Sequence, residues 1–205
     1  MRKGELTLDF GDISFKDQTY TIQERVENKI YKKLERHNFK RSNKIENDIE
    51  MIKGLIADFG DDEQINLVSK AFDSPNIILS LLDQIEEIYV STWAITPAGI
   101  NSFIELAKTG RCKKAFLFLD NTHSYKWMFS SGAYKVLRDS VTIKFAVNHS
   151  KFIIIKTTDG KYLNIYGSMN LSNNPRWENM TITKSFSDYE FYRDFLIQVN
   201  AEVVQ

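Results

Sequence analysis

Apolar and polar positions in the central part of the chain alternate in a way that predicts strands and helices in turn. Short apolar runs between turn-forming residues indicate buried strands, and longer amphipathic stretches indicate helices. Two helix starts are marked by a capping residue and a proline, Ser74-Pro75 and Thr96-Pro97. The predicted elements are strand 65–72, helix 74–85, strand 88–92, helix 97–110, strand 115–119 and helix 125–137. This rhythm favours a layered domain with a largely parallel sheet.

After residue 140 the pattern changes to strands with no helix between them. The predicted strands are 141–147, 149–156, 161–168 and 180–183, so an antiparallel ribbon is joined to the parallel part. A last helix is predicted to begin at a capping box formed by Ser187 and Glu190. The fold class is therefore predicted as α/β, a mixed sheet flanked by helices.

The first 60 residues predict a charged appendage to this domain. Residues 6–22 have the short alternation of a strand pair, and residues 23–37 and 45–59 have the spacing of helices. Gly60 follows the second of these helices and is itself followed by acidic residues. We therefore expect an N-terminal appendage at 1–60 and a main domain at 61–205.

One hairpin can be predicted in register. Asp159-Gly160 lies between two apolar runs, and Asp-Gly is a strong signal for a two-residue turn. With these two residues as the loop, Thr158 faces Lys161.

The same register brings four polar side chains to one face at the far end of the hairpin. Counting back from the turn places Lys151 opposite Ser168 and His149 opposite Asn170. These groups are costly to bury beside the apolar residues 152–155 unless a polar ligand satisfies them. A phosphodiester would do so.

These residues resemble a known set of motifs. The HxK, GSxN and downstream Glu pattern of phospholipase D superfamily nucleases is matched by His149-Ser150-Lys151, Gly167-Ser168-Met169-Asn170 and Glu178. The resemblance covers roughly residues 65–182. Each motif alone is weak, but both on adjacent strands, followed by an acidic residue, make a moderately strong signal.

The resemblance implies a phospholipase D-like fold and a role for each motif residue. His149 would be the nucleophile that forms a phosphohistidine, or the acid that protonates the leaving oxygen. Lys151 and Asn170 would hold the non-bridging oxygens, and Ser168 would add a hydrogen bond. Glu178 would accept a hydrogen bond from an imidazole nitrogen. The scheme implies no metal and no cofactor.

The chain carries only one half of such a site. The other histidines, His37 and His123, are not followed two residues later by lysine. A mechanism with two histidines then requires a second copy of the chain, so we expect a homodimer that joins two His149 side chains through the active-site face.

Two positions depart from the family pattern. Lys156 stands where the family has an acidic residue five positions after the lysine, and Gly167-Ser168 comes later than in compact members. Lys156 points away from Lys151 and lies near the turn, so we expect its effect to fall on stability more than on chemistry. The longer spacing is explained by an insertion at the tip of the hairpin.

The overall charge does not identify a partner, because 27 basic and 27 acidic residues cancel. Basic residues are nonetheless concentrated between Arg25 and Lys44. This stretch is either a solvated helix face or an arm that contacts phosphates.

Compartment is indicated only by exclusion. Cys112 is the only cysteine, which suits a reducing compartment and a structural role for that residue. No apolar run has the length of a signal peptide or of a bilayer span. We expect a cytoplasmic protein without a membrane partner.

The favoured function is a metal-independent phosphodiesterase, a nuclease that cleaves DNA or RNA. The alternatives are a catalytically inactive module that binds nucleic acid, and a phosphodiesterase for lipids or small molecules. Nucleic acid is preferred to lipid because no membrane-binding amphipathic helix is evident and the basic stretch is present.

Several of these residues also have ordinary structural explanations. Ser168 and Asn170 could end a strand and cap a turn, and Glu178 could be a surface carboxylate. His123 follows a strand end and is more easily explained as a loop residue. The tryptophans could be core or could stack bases, with Trp177 in the motif loop the best candidate for stacking.

Overall fold

The computed structural model describes residues 40–46, 49–61, 63–70, 73–123, 125–130, 132–173 and 176–204, with backbone only for 40–49 and 202–204. The predicted strand pair at 6–22 and the predicted helix at 23–37 lie outside these residues. Within the described part, no helix is long and apolar enough to cross a membrane.

Nine strands form one mixed sheet in the described part of the chain. They are β1 (Lys40–Glu46), β2 (Glu63–Ser69), β3 (Ile85–Thr92), β4 (Lys114–Asp120), β5 (Val141–Ala146), β6 (Phe152–Thr157), β7 (Tyr162–Gly167), β8 (Glu178–Thr183) and β9 (Glu202–Val204). Their order across the sheet is β1-β2-β8-β7-β6-β3-β4-β5-β9. The pairs β1–β2, β3–β4 and β4–β5 are parallel, and the remaining pairs are antiparallel.

Helices cover both faces of this sheet. They are α1 (Ile49–Asp58), α2 (Ser74–Ser80), α3 (Pro97–Lys108), α4 (Lys126–Ser130), α5 (Ala133–Leu137) and α6 (Phe186–Gln198), with a 3₁₀ turn at Leu82–Gln84. Buried residues of α1 to α5 share one apolar cluster with the sheet, and α6 packs in a second cluster on the other face. The predicted α/β class with a mixed sheet flanked by helices is confirmed.

The central strands are apolar on both faces because both faces are covered. In β6, Ile153 and Ile155 pack in the cluster of α1 to α5, whereas Phe152 and Ile154 pack in the cluster of α6. A strand that alternated apolar and polar residues would bury its polar side chains against one of these apolar layers. The apolar run 152–155 therefore specifies a central strand.

Residues before the predicted domain boundary also contribute to this core. Strand β1 pairs with β2, and Ile52 and Ile56 of α1 are buried in the same cluster as the later helices. The division at residue 60 remains a prediction.

The hairpin register differs from the predicted one by a single residue. Phe152 pairs with Tyr166 and Lys156 with Tyr162, and Thr157, not Thr158, faces Lys161. The loop has three residues and ends at Gly160, whose φ of 84° lies in the left-handed region that favours glycine. The predicted two-residue turn is wrong.

Two helix starts differ from those predicted. The helix predicted at 45–59 begins at Ile49, because residues 45–46 pair in β1. The cap of α2 is Asp73, whose side chain accepts from the Asn76 amide, and not the predicted Ser74.

Other helix limits also differ from those predicted. The helix from Ser74 ends at Ser80 and β3 begins at Ile85, and the single helix predicted at 125–137 is two short helices. The cap of α6 is Ser185, whose side chain accepts from the Asp188 amide, not the predicted Ser187. Both serines precede an acidic residue by three positions, so the pattern alone did not distinguish them.

Candidate active site

Strand directions bring the motif residues to one edge of the sheet. The carboxyl ends of β3, β4 and β7 lie at the same edge as the starts of β6 and β8. His149 and Lys151 precede β6, Ser168 and Asn170 follow β7, and Glu178 begins β8. All five predicted site residues therefore lie at this edge, which we call the motif edge.

The loop before β6 presents an exposed imidazole and a partly buried ammonium group. The centroid of the His149 ring lies 5.4 Å from that of Trp93, and Lys151 Nζ lies 5.7 Å from the centroid of Trp93. Lys151 Nζ also donates to the His149 carbonyl at 3.0 Å. Burial lowers the pKa of Lys151, and the charge of Glu178 partly opposes that shift. The Lys151 ammonium thus lies within electrostatic reach of Glu178.

A buried side chain directly before the histidine holds this loop in place. The Asn148 amide N–H donates to Asp120 Oδ2 at 2.7 Å, and its side-chain nitrogen donates to the Thr92 carbonyl at 3.2 Å. Its side-chain oxygen accepts from the Ser150 amide at 3.0 Å. Asn148 therefore joins the ends of β3 and β4 to the backbone on both sides of His149.

The loop after β7 alternates buried and accessible residues, so its two polar side chains face the same way. Met169 and Leu171 are buried in the core, whereas Ser168 is exposed and Asn170 half-buried. Asn170 Oδ1 accepts from the Ala94 amide at 3.3 Å. This bond orients the carboxamide, and among the described residues its nitrogen has no partner. Asn170 can therefore donate to an external oxygen.

Gly167 allows β7 and β8 to approach closely at the motif edge. A Cβ at this position would lie 2.0 Å from the Asn179 carbonyl oxygen. The approach lets the Ser168 amide donate to Asn179 O at 3.0 Å and the Asn179 amide donate to Ser168 Oγ at 3.1 Å. Ser168 Oγ in turn donates to Glu178 Oε2. The glycine of the GSxN pattern thus has a steric explanation here.

Glu178 is hydrogen-bonded to a neighbouring side chain of the same chain. In the described residues its carboxylate accepts from the Ser168 hydroxyl, and no hydrogen bond joins it to an imidazole. The predicted contact between Glu178 and an imidazole remains a prediction.

The motif residues meet by another route than the predicted pairing. Gly167, not Ser168, stands opposite Lys151, since the Gly167 amide donates to the Lys151 carbonyl at 3.4 Å. Regular β structure starts at Phe152 and stops at Gly167. Beyond these limits the two segments leave the regular pairing of the hairpin, so Lys151 and Ser168 both approach Glu178 despite the shifted register.

Lys156 lies at the opposite edge of the sheet from the motif residues. Its Nζ is 3.3 Å from Glu86 Oε2 and 4.0 Å from Glu87 Oε1. A lysine at this position is thus accommodated by the acidic residues at the start of β3.

A cavity at this opposite edge does not mark the site. It has a volume of about 750 Å³ and is lined in part by Tyr89, Lys113 and Arg138. Lys113 Nζ is already paired with Glu86 at 2.7 Å. The cavity contains none of the motif residues.

Two residues of the motif edge were not identified as functional from the sequence. Trp93 lies between the rings of His149 and His123, with the His123 centroid at 4.6 Å. Asn148 was overlooked, although a polar residue between an apolar strand and a motif histidine is a usable signal. Trp93 contacts the His149 ring and Asn148 holds the backbone beside it, and both contacts form only in the folded chain.

The remaining candidates have mostly structural environments. His123 follows β4, and its Nε2 is buried without a hydrogen-bond partner among the described residues. Trp127 packs against the core, and burial raises the pKa of the Cys112 thiol to about 11. Trp177 is different, because it is 51% exposed beside Glu178. No group of three or more His, Cys, Asp or Glu in the described residues could hold a metal ion.

Comparison with known proteins identifies the fold. No protein-family model and no curated protein matches the chain. Nuc from Salmonella typhimurium, a phospholipase D family member, matches with a TM-score of 0.51 and 16% identity, over 70% of this chain and 99% of that one. Polyphosphate kinase from Porphyromonas gingivalis matches with a TM-score of 0.51 and 13% identity, over 66% of this chain and only 26% of that one. The chain therefore has a phospholipase D-like fold.

Proposed function

We propose that the protein is a metal-independent phosphodiesterase that cleaves DNA or RNA through a phosphohistidine intermediate. The observation that carries this proposal is the convergence of His149, Lys151, Ser168, Asn170 and Glu178 at the motif edge. An exposed imidazole can attack phosphorus, and an ammonium group and an oriented carboxamide can stabilise the charge on its non-bridging oxygens.

In this mechanism His149 attacks phosphorus, so a P–N bond forms and the bond from phosphorus to the leaving oxygen breaks. A second imidazole gives its proton to that oxygen. Water then attacks phosphorus, the P–N bond breaks and the second imidazole takes the proton from the water. Lys151 and the free nitrogen of Asn170 hold the non-bridging oxygens throughout.

The second imidazole is proposed to come from the His149 of a second chain. Within the described part, the other histidine, His123, turns a buried Nε2 away from solvent. A twofold axis beside the exposed His149 would place two identical half-sites together. Glu178 would then accept from an imidazole in the assembled dimer.

Nucleic acid is the proposed substrate because cations and aromatic rings occur together at the motif edge. Lys151 lies over Trp93, and Lys70 lies over the exposed Trp177. Such pairs suit a polymer with both phosphates and flat bases.

The test is cleavage of labelled single-stranded and duplex DNA and RNA in excess EDTA. We expect cleavage that survives chelation, and a loss of about a thousandfold or more in His149→Ala, since removal of a nucleophile abolishes the covalent route. His123→Gln serves as the matched control and should retain activity. Size-exclusion chromatography and circular dichroism should show the same oligomer and fold in all three proteins.

Two outcomes would overturn the proposal in different ways. Cleavage that stops in EDTA would refute metal independence. Salt-sensitive binding with no cleavage by the unmodified protein would favour the inactive nucleic-acid-binding module instead.

A further inference from the structure

A second group of residues at the motif edge, Trp177 with Lys70, takes no part in the proposed chemistry. Trp177 precedes Glu178 at the start of β8, and Lys70 follows Ser69 at the end of β2. The two strands pair there, with Ser69 opposite Glu178. The indole and the ammonium group are therefore held side by side.

Trp177 is the tryptophan at this edge whose ring remains available. Trp93 already has His123, His149 and Lys151 around it. Trp127 packs against the core. Trp177 is 51% exposed, and no aromatic ring of the described residues packs against it. Trp177 belongs to neither apolar cluster of the described residues, so its indole is a candidate for contact with a ligand.

Lys70 lies over one face of the exposed Trp177 indole. Its Nζ lies 5.1 Å from the ring centroid, so the ammonium group occupies one face. A planar ligand can stack on the opposite face while Lys70 attracts an adjacent anion. A nucleotide supplies both a planar base and an anionic phosphate.

The distance from Trp177 to the phosphate-holding groups suits a short stretch of polynucleotide. The order β8-β7-β6 separates Trp177 from Lys151 by two strand spacings, about 10 Å. That distance is short enough for one strand of nucleic acid to reach both groups. A base could thus stack on Trp177 while a neighbouring phosphodiester lies at His149.

We propose that Trp177 and Lys70 form a base-stacking subsite and that the substrate is single-stranded nucleic acid. The inference rests on the proposed function and adds the strandedness of the substrate. In a duplex both faces of each base are covered by neighbouring pairs, so a base can stack on Trp177 only where it is unpaired.

The test is binding by proteins that carry His149→Ala, measured by fluorescence anisotropy with a labelled oligothymidylate, an abasic oligonucleotide of equal length, and a duplex. We expect Trp177→Ala to weaken oligothymidylate binding by about tenfold or more and to leave abasic binding unchanged. Trp177→Phe should restore most of the lost affinity. Lys70→Ala should lower the slope of log affinity against log salt concentration by about one, because one contact with a phosphate is lost.

Phe186→Ala provides the matched control, because Phe186 is 52% exposed at the opposite edge, where its ring packs 4.9 Å from Tyr162. It should leave binding of all three probes unchanged. Equal affinity for thymidylate and abasic strands, or tighter binding of the duplex, would overturn the base-stacking subsite.

Failure of the proposed function would be recognised separately. The protein with His149 intact is assayed with bis(p-nitrophenyl) phosphate, which is a phosphodiester without bases. If this compound is cleaved but no oligonucleotide is bound, the proposed phosphodiesterase activity is supported and the base-stacking subsite is refuted. If binding of oligothymidylate depends on Trp177 but neither the oligonucleotides nor bis(p-nitrophenyl) phosphate are cleaved, the subsite is supported and catalysis is refuted.

Discussion

At the scale of single residues, Lys151 carries its charge in a partly buried position between Trp93 and Glu178. Burial disfavours the ammonium form, so the folded-state pKa of Lys151 lies below its unfolded value. As the pH rises, Lys151 therefore loses its proton at a lower pH in the folded protein than in the unfolded chain. The cost of burying the charge is present at neutral pH and is relieved above the lowered pKa.

This titration predicts an alkaline loss of activity. Because only the protonated amine can hold the phosphate oxygens, kcat/KM should fall with a pKa below the value of about 10.4 of an unperturbed lysine. In Lys151→Arg the remaining activity should persist to higher pH, since a guanidinium stays charged. The pH–rate profiles of both proteins check this. An unchanged alkaline fall in Lys151→Arg would mean that another group titrates.

Gly167 sets the separation of β7 and β8 beside Ser168. In Gly167→Ala the new Cβ would lie 2.0 Å from the Asn179 carbonyl oxygen, so one of the strands must shift. We expect a stability loss of about 1–3 kcal/mol in urea unfolding and loss of activity, because Ser168 and Glu178 separate. Ser168→Ala, which removes one hydroxyl without a clash, should cost about 1 kcal/mol. Unchanged stability and full activity of Gly167→Ala would contradict this account.

Among the secondary-structure elements, the three-residue loop of the hairpin requires glycine at its last position, whereas helix α1 contains a glycine that its conformation does not require. Gly160 ends the loop with φ at 84°, whereas Gly54 lies inside α1 with no atom within 4 Å of an added Cβ. A side chain is strained at the first position and accommodated at the second.

Two alanine substitutions test this difference. Gly160→Ala should destabilise the protein by about 1–2 kcal/mol, and Gly54→Ala should stabilise it by about 0.5–1 kcal/mol. Both positions lie away from the motif edge, so kcat should stay unchanged in both variants. Shifts of the same sign in urea unfolding would show that the loop does not require the left-handed conformation.

At the scale of the whole molecule, one sheet edge holds every motif residue but only one exposed histidine in the described part. The sheet is covered by helices on both faces, so this edge remains the surface through which two half-sites could meet. The proposed dimer therefore places the interface and the chemistry at the same edge.

Subunit mixing tests the shared site. A fixed amount of unmodified protein, re-equilibrated with an equal amount of His149→Ala, should lose about half of its activity, because random pairing puts half of its chains in mixed dimers. The same mixture assayed before exchange is the control. Full retention of activity after exchange would mean that each chain is complete alone and would direct attention to His123.

Features that depend on neighbouring residues could be predicted from the amino-acid sequence. First-turn proline, hydrophobic periodicity and turn residues predict the helices near Ser74 and Pro97, the alternation of strands and helices, and the hairpin that carries the two motifs. These signals are local, so no knowledge of the other elements was needed. The steric reason for the glycine of the GSxN motif was not predicted, because the close approach of β7 and β8 at Gly167 is a tertiary contact.

The order of the strands and the hydrogen bonds between the loops could not be predicted, because they depend on contacts between distant parts of the chain. Asp159-Gly160 is compatible with two loop lengths, and the three-residue form is stabilised by Thr157 Oγ1, which accepts from the Lys161 amide at 2.9 Å. Likewise, no local pattern near Ser69 predicts its pairing with Glu178, which lies over a hundred positions later in the chain. Such contacts are selected because apolar strands of similar composition are distinguished only by packing on both faces of the sheet.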